Sequence, residues 1–91
     1  MTPEQREQLR LSILRVLAAN VTPYGTPLTF LRSLLIAEGR PWLTRQDVEA
    51  EMLYLRDAGL VATVDKPVSP ENTAWRVTKE GRDFLALRGL D

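Results

Sequence analysis

Apolar residues along this 91-residue chain recur at helical spacing in four stretches and alternate in two. That pattern predicts four helices and a pair of strands. The first helix is expected over 3–20, since Thr2-Pro3-Glu4-Gln5 supplies a capping hydroxyl, a proline suited to the first helical position and a glutamine placed to complete a capping box. It carries two apolar stripes, Leu9, Ile13, Val16 and Leu17 on one face and Leu11, Leu14 and Ala18 on another. One core needs only one stripe. The second calls for another partner, either more of the same domain or a second copy of it.

A loop containing Pro23 and Gly25, with room for a short strand, leads to Thr26-Pro27, which repeats the cap-then-proline start. The second helix is expected over 27–38. Leu28, Leu31 and Leu35 point to a core, Phe30, Leu34 and Ile36 widen the apolar surface, and Gly39 ends the helix. Pro41 makes residues 39–43 a connector. Thr44 then caps a third helix over 45–58, with Asp47 as its capping-box partner, Val48, Met52 and Leu55 on one face, and Gly59 at its end. Strands over 60–64 and 73–77 flank a loop with two prolines, Pro67 and Pro70. Thr78 caps a last helix over 79–88. The expected core joins Val48, Met52, Leu55, Leu60, Trp75 and Leu85 to Leu9, Ile13 and Leu31.

These elements fit a single domain spanning 1–91, mainly α with a β-hairpin wing. The class is α+β, in the order helix, helix, helix, strand, strand, helix, which is a winged helix-turn-helix. Residues 44–61 resemble the recognition helix and first wing strand of ArsR- and MarR-type regulators, in which a small polar cap precedes a Val, a Leu, a second Leu and Gly-Leu-Val. Thr44, Val48, Met52, Leu55 and Gly59-Leu60-Val61 match those positions. Residues 75–85, WRVTKEGRDFL, resemble the second wing strand and closing helix, through Trp75, Thr78 and Gly81. The layout is also similar to short stand-alone winged-helix proteins of Mu-like phages. The resemblance implies the fold and, with less specificity, DNA binding, since winged helices also serve as protein-interaction modules. Metal sensing of the ArsR kind uses Cys or His ligands, and the chain has neither.

Composition narrows the chemistry further. Without Cys or His, disulfides, thiolate or imidazole metal sites and His-based catalysis are excluded. No Gly-rich phosphate loop or nucleophile elbow occurs, so neither an enzyme nor a cofactor is expected. No apolar run approaches the ~18 residues of a membrane span, and MTPEQREQLR does not read as a signal peptide. A cytoplasmic location is the expectation. Twelve bases balance twelve acids, which argues against strong non-specific DNA binding while leaving local charge to decide.

The third helix holds four acids, Asp47, Glu49, Glu51 and Asp57, against Arg45 and Arg56. Asp47 is expected to cap Thr44. Glu51 flanks the buried face and should meet a neighbouring helix or pair with an Arg outside the segment. Asp57 falls in the last turn, away from the half of a recognition helix that enters a groove. Arg45, Gln46, Glu49, Ala50 and Leu53 remain outward on the first turns. Arg45 suits guanine or phosphate, Gln46 adenine, and Glu49 the cytosine amino group. Alternatively, Arg45 and Glu49 pair across one turn of a solvated face, and Leu53 is plain surface or part of an interface. Lys66 and Arg76 could reach phosphates from the wing. The expected function is a sequence-specific regulator binding double-stranded DNA, without an effector domain, as a homodimer through Leu11, Leu14, Ala18 and Leu87. The alternative is a protein-interaction module that binds no DNA.

Overall fold

The computed structural model describes residues 1–64 and 73–89. Its elements are α1 (Pro3–Ala19), β1 (Thr26–Pro27), α2 (Leu28–Ala37), α3 (Arg45–Asp57), β2 (Val61–Thr63), β3 (Ala74–Val77) and α4 (Lys79–Leu87). The described chain is mainly helical with a small three-stranded antiparallel sheet in the order β1-β3-β2, an α+β arrangement. None of its helices is long and apolar enough to cross a membrane.

Helix starts follow the caps. At α1, Gln5 N–H donates to Thr2 Oγ1 at 3.1 Å while Thr2 N–H donates back to Gln5 Oε1 at 2.9 Å. At α3 the same box forms between Thr44 and Asp47, with both bonds at 3.1 Å. Each box satisfies backbone donors that a helix start leaves open. Thr78 Oγ1 accepts from Gly81 N–H at 3.0 Å and donates to Gly59 O at 2.7 Å, so one hydroxyl starts α4 and ties it to the end of α3.

At α2 the expected start is corrected. Thr26 is not its cap but part of β1, buried, with its hydroxyl donating to Asn20 O at 3.4 Å. The N-cap residue of α2, Pro27, makes no side-chain cap bond. The sheet does that work instead: Thr26 and Pro27 sit opposite Trp75 and Ala74, and Leu28 N–H donates to Thr73 O at 3.2 Å. β2 pairs on the other side of β3, Val61 opposite Val77 and Thr63 opposite Trp75.

α1 lies at the centre and packs against α2, α3, α4 and β3. This accounts for its two stripes. Leu9, Ile13 and Leu17 are buried, and so is Leu14, at 0 % exposure, in the same core. Leu14 is therefore corrected as a dimer-interface residue, because more of its own chain already covers it. Ala18 also packs on the core, Leu11 is half-buried, and Leu87 is 89 % exposed. Val48, Met52, Leu55, Leu31, Trp75 and Leu85 join the core as expected, while Leu60 only flanks it.

Two details set where α3 sits. Leu43 in the connector is buried, and its carbonyl accepts from Arg32 Nε at 3.0 Å, so the residue before the Thr44 cap is anchored. At the far end, a Cβ on Gly81 would run into Leu60 O and come within 2.7 Å of Val77 Cγ2. Glycine here lets α4 approach the strand that follows α3.

Candidate nucleic-acid interface

With Val48 at the centre of the buried stripe, a 100° turn per residue divides the rest of α3 into two flanks and an outer face. Val48, Met52 and Leu55 are buried as that geometry requires. Gln46, Ala50, Leu53 and Asp57 face outward and are exposed. Asp47, Glu51 and Tyr54 make one flank; Arg45, Glu49 and Arg56 make the other.

On the first flank the charges are held. Glu51 is 6 % exposed, and its Oε2 accepts from Arg10 Nε of α1 at 2.6 Å. The same guanidinium stacks on Tyr54, 3.7 Å from the ring centroid. A buried carboxylate needs such a partner, because burial without one is costly. Asp47 completes the helix cap. The Thr44 backbone N–H, and then its hydroxyl, hold the Asp47 carboxyl below the usual carboxylate range. Asp47 thus stays charged, where it also meets the positive end of the α3 dipole. Two of the four acids on α3 are in this way part of the structure.

The second flank borders a groove. Arg45, Glu49, Leu53 and Arg56 form its α3 wall. Thr63 and Thr73 line the sheet side, and the buried side chains of Leu28 and Trp75 form its apolar floor. Its volume is ≈ 270 Å³. Arg56 keeps about half its side chain in solvent and meets Asp57 at 3.8 Å, an open, screened pair.

Of the residues expected to touch DNA, Arg45, Glu49 and Leu53 come together at this groove, and Gln46 and Ala50 are exposed on the adjoining outer face. Arg76 is exposed but not gathered with them; it lines a different depression with Arg82, Asn20 and Thr22. Lys66 lies outside the described residues. Sequence reasoning passed over Arg56, and with it Thr63 and Thr73. The signal for Arg56 was available, since at 100° per residue it falls within about 40° of both Arg45 and Glu49.

Comparison of the chain with protein-family models, with curated proteins and with solved structures finds no match in any of the three.

Proposed function

We propose that the chain is a winged-helix domain that binds duplex DNA, with α3 as the recognition helix in the major groove, and that it acts as a small sequence-specific regulator. The observation that carries this reading is the fate of the acids on α3. Glu51 is neutralised by Arg10 and Asp47 is spent on the cap, and Asp57 stands in the last turn. The first two turns then offer Arg45, Gln46, Glu49 and Ala50 to a groove, with Glu49 as the one acid among them. The order of elements supports the fold. A short strand between the first two helices joins the hairpin through β3, which gives the sheet a third strand behind the recognition helix. The likeness of residues 44–61 to ArsR- and MarR-type regulators supports the function by association.

Binding of the full chain to a pool of random-sequence DNA duplexes, followed across a salt series, tests this. Arg45→Ala is expected to weaken specific binding by roughly 1–3 kcal/mol and relax discrimination at one base position. Glu49→Gln separates two roles. If Glu49 accepts from a cytosine, the change lowers selectivity for that base; if it only repels phosphate, every duplex binds more tightly. Absence of binding even at low salt, not rescued by Glu49→Gln, sinks the DNA reading.

A second reading is favoured by Leu53 and Tyr54, adjacent on α3 and 40 % and 53 % exposed. An apolar residue beside an aromatic suits a protein partner. Under that reading Leu53→Ala and Tyr54→Ala abolish partner capture, and DNA does not compete.

A further inference from the structure

Arg45 and Arg56 stand on the same flank of α3, eleven residues apart, which at 1.5 Å per residue is about 16 Å along the helix axis. If the N-terminal half of α3 lies among base edges, Arg56, in the last turn, falls beyond that half. Arg56 shares the lining of the groove with the hydroxyl side chains of Thr63 and Thr73 and with the apolar Leu28 and Trp75. Guanidinium and hydroxyls are the groups that hold phosphate oxygens.

From this we infer that Arg56, with Thr63 and Thr73, forms a contact site for the sugar-phosphate backbone of duplex DNA in the groove between α3 and the sheet. The inference rests on the DNA reading above and adds the part of the ligand that each arginine meets. Arg45 discriminates bases and Arg56 anchors the strand. Charge complementarity to a polyanion lies in Arg56 itself, a guanidinium that keeps about half its side chain in solvent. Asp57, the partner of Arg56, is 79 % exposed at 3.8 Å, a contact that a phosphate displaces at little cost.

The test measures binding of the full-length chain and its variants to the random-duplex pool and to the tightest duplex selected from it, across a salt series. Arg56→Ala is expected to weaken both alike, by roughly five- to tenfold at 0.1 M salt, and to make the slope of log K against log salt shallower by about 0.9. Arg56→Lys, which keeps the charge, should restore that slope. Thr63→Val and Thr73→Val should weaken binding without changing it. A variant whose melting shows lost structure is replaced by Arg56→Gln, which keeps most of the side chain. If the wild-type chain binds and a folded, uncharged Arg56 variant leaves the slope unchanged, or alters base preference instead, the inference is overturned and the DNA reading stands. If the wild-type chain binds no duplex at low salt, both fall.

Discussion

Glu49 and Glu51 are two residues apart on one helix and have opposite circumstances. Glu51 is buried against α1, fixed by Arg10 at 2.6 Å and roofed by the stack of that arginine on Tyr54. Glu49 is exposed beside Arg45 and Arg56 on a groove wall. A count of charges on a helix therefore says little about the potential it presents. An acid that its own fold neutralises is part of the scaffold, while its neighbour remains free to repel or to recognise. The flank toward α1 fixes the position of α3; the flank toward the sheet lines the groove.

The largest effect should come from what both flanks depend on, the buried stripe between them. Met52→Ala removes a fully buried side chain and is expected to cost about 2–5 kcal/mol in denaturant unfolding. A loss near zero would mean that α3 does not pack as described. Next comes the pair itself. Arg10→Ala leaves the Glu51 carboxylate buried without its partner, and should cost about 2 kcal/mol, below the ~3–5 of a fully enclosed pair, because Arg10 keeps 26 % of its side chain exposed. Glu49→Gln, in the same assay, should stay within about 0.5 kcal/mol. Equal losses for the two variants would erase the contrast between the flanks.

A smaller effect than the loss of Met52 or Arg10 concerns pH. The folded pKa of Asp47 is depressed by its bonds to Thr44, so its contribution is fully present above the unfolded value, ~4, and is lost as pH falls through the lower folded value. Thr44→Ala should cost ~1 kcal/mol at neutral pH. Asp47→Asn should flatten the part of the acid limb of a stability–pH curve that lies below about pH 4. An unchanged acid limb would show that the cap does not hold Asp47 ionised.

How much of this could be read from the chain depended on distance along it. Thr2 with Gln5, and Thr44 with Asp47, are three residues apart, so both boxes and the starts of α1 and α3 were legible. The buried stripe of α3 was legible for the same reason. That Glu51 needed a partner followed from its place beside the stripe, but Arg10 lies forty-one residues away, and only the docking of α1 on α3 names it. Leu14 misled because two apolar stripes on one helix look alike whether a second chain or the rest of the same chain covers the second. Thr26 misled because a hydroxyl before a proline is a good cap, and a two-residue strand has no alternation to announce it. The groove was half legible. Its α3 wall follows from helical geometry, whereas Thr63 and Thr73 join it through strand pairing that periodicity does not specify.

The brevity of β1 has a consequence for how copies of this protein meet at high concentration. A sheet margin with unpaired backbone groups can template a strand from another molecule and seed aggregation. Here β1 lies at one margin of the sheet, is two residues long, and one of the two is Pro27, which has no N–H to offer. A foreign strand approaching that margin finds too few partners to add to the ladder. The two residues of β1 therefore complete the sheet while giving a foreign strand little to template on.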